Sequence, residues 1–265
     1  MDSTLAKGLH VLEWMTRQPN GCRVVDVAQH FGLVRSNAHR TLQTLVECGW
    51  AVQDQGASTY RSALKLFELG SIVDQATDIK DCLHPLLAQF AVQSGETIHL
   101  AVLDGAEVVY LDKFDSPLPV AAYSRIGGRA AAYCVAAGKA LLAAMALNEV
   151  ALEARLVQLP AHTKNSLTDF AALESELAKI RARGYAENRE EWRMGVCGLG
   201  AAVKNAAGKP VAAIGMSVPS IRFSKKQVAE HAAQLLAYVA RANEALGGGT
   251  PSSSSKQINN NPLSK

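Results

Sequence analysis

The 265-residue sequence has no apolar run approaching the roughly 18 residues that a membrane-spanning helix needs. Its start, Met1-Asp2-Ser3-Thr4, lacks the basic stretch and apolar segment of a signal peptide. A cytoplasmic protein without membrane contact is therefore expected. Cysteine is sparse, odd in number and scattered. Cys22, Cys48, Cys82, Cys134 and Cys197 form no CxxC pair, which argues against zinc ribbons, dithiol redox motifs and disulfides. The seven histidines have no metal-ligand spacing, so neither metal nor cofactor is expected. Charge of one sign is also scarce. The formal net charge is +3. Within the first 61 residues, Lys7, Arg17, Arg23, Arg35, Arg40 and Arg61 stand against Asp2, Glu13, Asp26, Glu47 and Asp54, six against five. Nucleic-acid binding there has to rest on where the arginines sit, not on bulk charge. No internal repeat is present. What the chain does have is a hydrophobic content of 48%, enough for a packed core.

Leu5, Leu9, Leu12 and Met15, with Val11 beside them, repeat at helical spacing until Pro19-Asn20-Gly21. A short second helix begins at Val24-Val25 and ends near Phe31-Gly32. A third runs from about Arg35 to Cys48, with Ala38, Leu42, Leu45 and Val46 on one face and Gly49 as its stop. Trp50–Gln53 and Thr59–Arg61 read as strands of a hairpin. Helix, helix, turn, helix, hairpin is the order of a winged helix-turn-helix. A connecting helix follows from Leu64 to about Asp74. The remainder reads as an α+β domain with a mostly antiparallel sheet. Its expected helices are Ile79–Gln93, Ala136–Ala146, Leu173–Arg183 and Gln227–Ala245. Its expected strands are Thr97–Leu103, Glu107–Lys113, Val120–Ser124, Tyr185–Glu191, Gly200–Lys204 and Val211–Val218. The domain reading is thus 1–63 for the winged helix, 64–77 for a linker helix, 78–246 for a ligand and oligomerisation domain, and 247–265 for a low-complexity, disordered tail.

Helix three has what a groove-reading helix requires: an apolar docking face and an outer face of side chains that reach bases and phosphates. Arg35, Ser36, Asn37, Arg40, Thr41 and Thr44 fall outside. Arginine can bond guanine in bidentate fashion and asparagine can do the same with adenine. Ser36, Asn37 and Arg40 are the main candidates, Arg35 and Thr41 accompany them, and Thr59 and Arg61 in the wing suit phosphate or minor-groove contact. His39 reads as a packing or surface residue.

These residues resemble the IclR family of bacterial regulators over about Lys7–Leu246. The N-terminal match is Lys7-Gly8-Leu9-x-Val11-Leu12, Val27-Ala28-x-x-Phe31-Gly32-Leu33 and Arg35–Leu42. The C-terminal match is Ile126-Gly127-Gly128-Arg129, Ala137–Ala143, Arg183-Gly184-Tyr185-Ala186, Glu190-Glu191, Gly195 and Ala212–Pro219. The resemblance implies dimers or dimers of dimers on palindromic double-stranded DNA operators near catabolic genes. It also implies a GAF-like effector domain that takes small organic or aromatic acids. There are two departures. Relatives often cap the third helix with Ser or Pro where Val34 stands, and they often carry His-Ala-Thr where this chain has Tyr133-Cys134-Val135.

By the family pattern the effector pocket is lined by Gly127, Gly128, Arg129, Tyr133, Asn188, Val196, Cys197, Gly198, Gly215 and Ser217. A carboxylate suits free backbone N–H groups, a hydroxyl and the helix start near Ala136. Tyr123, Tyr133 and Val196 could pack an aromatic ring. An enzyme reading finds little support and no catalytic residue is expected. Gly215-Met216-Ser217-Val218-Pro219 ends in Pro where a hydrolase elbow needs Gly, and Ala137-Gly138-Lys139-Ala140 lacks the Ser/Thr of a phosphate loop. Two alternatives stay open: a sensor whose helix-turn-helix contacts only protein, and a hydrolase using Ser217.

Overall fold

α1 (Ser3–Thr16) buries Val11, Leu12 and Met15. Leu5 and Leu9, expected on the same buried stripe, are instead exposed. The core is met by the helix's second half, so only its last two turns are covered. α2 (Val24–Phe31) ends at Gly32 in the left-handed region. α3 (Arg35–Glu47) begins at Val34 with no side-chain cap, as the sequence implies. Ala38, Leu42 and Leu45 join Val27, Met15 and Tyr60 in one cluster. β1 (Ala51–Asp54) and β2 (Thr59–Ser62) form the antiparallel hairpin. A Cys22–Tyr60 bridge ties β2 to the segment between α1 and α2. α4 (Lys65–Gln75) follows.

A computed structural model describes residues 3–54, 56, 58–75, 78–119, 124–145 and 158–248 of the chain. It divides the chain into two units, Met1–Asp78 and Ile79–Lys265. The expected strand at Val120–Ser124 and the expected tail fall almost wholly outside the described residues; Ser124 itself is described and is not in a strand.

The second unit is built on a six-stranded sheet. β3 (Thr97–Asp104), β4 (Glu107–Phe114), β5 (Arg129–Ala131), β6 (Ala186–Arg189), β7 (Val196–Lys204) and β8 (Pro210–Pro219) are ordered β5-β4-β3-β8-β7-β6, every neighbour antiparallel. Three-residue β5 was not legible in the sequence, being too short to carry a period. One face packs on α5 (Asp78–Ser94) and α8 (Lys225–Asn243), through Leu87, Phe90, Ile98, Leu100, Leu199, Ile214 and Leu235. The other packs on α6 (Ala136–Ala144) and α7 (Phe170–Arg183), through Ala101, Val108, Leu141, Leu177 and Ala213. The domain is α+β, three layers deep, with two cores.

Glycine decides how closely α6 approaches the sheet. A Cβ on Gly200 of β7 would stand 2.5 Å from the Ala136 carbonyl carbon and the Ala137 nitrogen, and one on Gly138 would stand 2.3 Å from the Ala132 oxygen. Only bare backbone permits this seat, which puts the first turn of α6 against β7 and β8.

Candidate functional sites

On α3, Arg35, Ser36 and Arg40 are exposed, while Asn37 and Thr41 are half-buried. Part of this polar face is bonded within the helix. The Arg40 guanidinium donates to Asn37 Oδ1 at 2.6 Å, and the Thr41 and Thr44 hydroxyls donate to the Asn37 and Arg40 carbonyls. The hydroxyls back-bond one turn earlier, so their availability to bases is lower than for Ser36 or Arg40. In the wing Arg61 is exposed, 4.0 Å from Asp54, and Thr59 is half-buried.

In the second unit a cavity of about 410 Å³ opens beside the α6 N-terminus. Seven of the ten predicted positions line it: Gly128, Arg129, Asn188, Val196, Gly198, Gly215 and Ser217. Three do not. Gly127 sits at a positive φ of 72° in an exposed turn, and its amide is used on the Tyr110 carbonyl. Tyr133 is carried by the tight turn before α6 into the core, where its hydroxyl donates to the Pro160 carbonyl at 2.7 Å. Cys197 is excluded by strand alternation: Val196 and Gly198 face the cavity, and Cys197 faces the α5–α8 core. Tyr123 lies outside the described residues.

The structure adds His99, Tyr110, Ser124, Arg125, Trp192 and Arg193 to the lining. His99 had a readable signal, a polar residue between Ile98 and Leu100 in a strand buried on both faces. Tyr110 comes from the middle of β4, and the remaining four depend on loops that only the fold brings together. Register explains the polar floor. His99 pairs with Gly215, and Ser217 is the next same-face residue on β8. His99 Nε2 stands 2.8 Å from Ser217 Oγ and Nδ1 stands 3.1 Å from Ser124 Oγ. Burial, helped by Lys113, pushes the imidazole down to about 4. It is therefore neutral near pH 7, one nitrogen donating and the other accepting. A hydroxyl, not a carboxylate, supports Nδ1, and an imidazole this hard to protonate is a poor general base. The Ser124–His99–Ser217 chain is thus a hydrogen-bonding floor, and the hydrolase alternative gains nothing from it.

Asn188, 5% exposed, accepts the Glu191 amide on Oδ1 at 2.9 Å, which leaves its NH2 for the cavity. Ala136 and Ala137 also line the cavity; as first residues of α6 their amides have no partner within the helix. Beneath them Lys139, 1% exposed, is clamped by both Glu191 oxygens at 2.7 and 2.6 Å. Burial raises the Glu191 carboxyl above its ordinary value while Lys139 opposes the rise. At the rim Arg129 donates to Glu107 and Asp104. The described lining contains three arginines and no carboxylate. Such a cavity can hold an anion, its charge met by backbone dipoles, neutral donors and guanidiniums.

A winged helix-turn-helix joined to a separate domain with its own cavity is the organisation of a DNA-binding transcriptional regulator. Residues 4–55 match the IclR helix-turn-helix domain, and residues 72–243 match the family described as bacterial transcriptional regulator IclR C-terminal. The chain belongs to the IclR family of transcriptional regulators. It is 32% identical over 246 residues to the HTH-type transcriptional regulator XynR of Escherichia coli, covering 92% of this chain and 97% of that one. The crystal structure of the Thermotoga maritima IclR superposes with a TM-score of 0.78 at 31% identity, over 93% of this chain and 100% of that one. An IclR homolog from Microbacterium hydrocarbonoxydans, crystallised with 4-hydroxybenzoate, shares the fold with a TM-score of 0.78 at 23% identity, over 93% and 100% of the two chains.

Proposed function

We propose that this protein reads a palindromic double-stranded operator with Arg35, Ser36, Asn37, Arg40 and Thr41 of α3, aided by Thr59 and Arg61 of the wing. Its affinity for that operator is set by a small organic acid held in the α6 cavity. The carrying observation is the cavity's composition: arginines, orphan helix amides, the His99–Ser217 pair and no acidic side chain among the described lining residues. The acid's carboxylate faces the α6 amides, and Trp192, Tyr110 and Val196 offer flat and branched apolar surface to an aromatic or aliphatic body. The relative crystallised with 4-hydroxybenzoate supports an acid of this kind. The protein acts in the cytoplasm as a homodimer or homotetramer near genes for the acid's catabolism. The ligand shifts operator affinity only as far as it prefers one arrangement of the protein over the other. A thermal-shift screen of aromatic and short-chain carboxylic acids, followed by operator titrations with each hit, tests this. Hits that raise Tm and change operator affinity are expected; an absence of stabilisation by every acid sinks the effector assignment.

A further inference from the structure

We infer that the effector carries two negative charges, one seated at the α6 N-terminus and the other at a rim formed by Arg125 and Arg193. The inference rests on the reading of the cavity as an anion site and specifies which anions it selects. The inner seat has its own unspent donors: the Ala136 and Ala137 amides and the NH2 of deeply buried Asn188. One carboxylate satisfies these. It leaves the rim unanswered.

Of the three arginines that line the cavity, Arg129 is already neutralised by Asp104 and Glu107, at 2.7 and 2.6 Å. The guanidiniums of Arg125 and Arg193 have no ion pair or hydrogen-bond partner among the described residues. Both are exposed, yet both are carried on anchored turns. The Arg125 turn is pinned before and after. Lys113 Nζ donates to the Ser124 carbonyl, the Gly127 amide to the Tyr110 carbonyl, and the Gly128 amide to the Arg125 carbonyl. Gly128 is a packing requirement here, because a Cβ would stand 2.8 Å from the Arg125 oxygen. The Arg193 turn is pinned likewise. The Ser166 hydroxyl donates to the Glu191 carbonyl, Gly195 N donates to Glu190 Oε1, and Val196 N donates to the Arg193 carbonyl.

Two guanidiniums on anchored turns, lining one cavity with no acidic side chain among its described residues, give that part of the cavity an excess of positive charge. A neutral ligand tail leaves that charge unanswered, whereas a second carboxylate or a phosphate pairs with it. Guanidinium–carboxylate geometry also selects a planar anionic group over a hydroxyl.

Calorimetric titration of the full chain at fixed ionic strength tests this with matched probes. The diacids are succinate through pimelate and terephthalate. The monoanions are butyrate through heptanoate, benzoate, monomethyl terephthalate and gluconate. At least one diacid is expected to bind about tenfold or more tighter than its monoanionic match, the worth of one good charge-assisted contact. An Arg125→Gln/Arg193→Gln variant is expected to erase that margin, its diacid affinity falling about tenfold further than its monoacid affinity. Both arginines are exposed, so the variant keeps its fold, which its unfolding curve checks. Equal affinities for diacids and monoacids, or gluconate binding as well as any diacid, overturn the dianion and leave the acid reading intact. Preference that survives in the double variant overturns the role of the two arginines. Binding of no acid at all overturns both readings together.

Discussion

Lys139 is the residue whose chemistry depends most on its neighbour. Its ammonium is buried and held by both oxygens of Glu191, whose backbone amide is in turn held by Asn188 of the cavity wall. Lys139→Met strands a buried carboxylate and is expected to cost about 3–5 kcal/mol of stability. Lys139→Met/Glu191→Gln is expected to recover part of that, and chemical denaturation of the three proteins measures the difference. Sequence presented Lys139 as part of a failed phosphate-loop likeness. Its partner is 52 positions away, so nothing local could reveal the pair. Arg40 is the opposite case. Its exposure and its place in the first turns of α3 were legible from helical period alone. Arg40→Ala is expected to weaken operator binding about tenfold or more while the oligomeric state stays unchanged. Unchanged affinity in a gel-shift titration would remove α3 as the reading element.

At the level of elements, the wing hangs on one glycine. Gly21 has φ of +73°, and a Cβ there would stand 2.8 Å from both the Arg61 Cγ and the Tyr60 oxygen. Gly21→Ala therefore strains its own backbone and pushes away β2, which the Cys22–Tyr60 bridge otherwise holds to the domain. A loss of about 1–3 kcal/mol is expected, together with weaker DNA binding, read by thermal unfolding and operator titration. Strand alternation was the most informative element-scale rule and also separates residues that the family pattern groups together. It places Val196 and Gly198 on the cavity and Cys197 on the other core. The family pattern alone had put all three in the pocket. Tyr133 failed for a different reason: a tight turn before α6 redirects it, and a turn of that kind has no period to read.

For the whole molecule, stability and DNA binding respond to solution conditions in opposite registers. His99 is buried neutral, with its pKa pushed down to about 4 against about 6.5 in an unfolded chain. Between those values the unfolded state binds the extra proton, so stability is fully present above about pH 6.5 and falls as pH drops toward 4. The loss is on the order of 2–3 kcal/mol. Unfolding free energies at pH 5 and 7 for the parent and for His99→Gln check it, with the variant expected to show the shallower slope. DNA binding depends on salt instead. The first 61 residues are nearly neutral, so attraction comes from a few placed arginines. Log affinity is expected to fall linearly with log salt, by about 0.9 for each phosphate contact. A flat salt profile would favour a helix-turn-helix that touches only protein.

The sequence by itself determined the winged helix, the α+β class of the second domain and the lack of any long apolar span. All of these follow from local period, turn chemistry and composition, which act over a few residues. Tertiary structure alone decided the cavity. His99, Ser124, the Asn188–Arg193 segment and Ser217 come from four separate stretches of chain, and antiparallel register and anchored turns bring them around one cavity. Only there could the two guanidiniums of Arg125 and Arg193, without a carboxylate partner among the described residues, be seen to line one cavity, because charge complementarity is a property of a surface that distant segments form together.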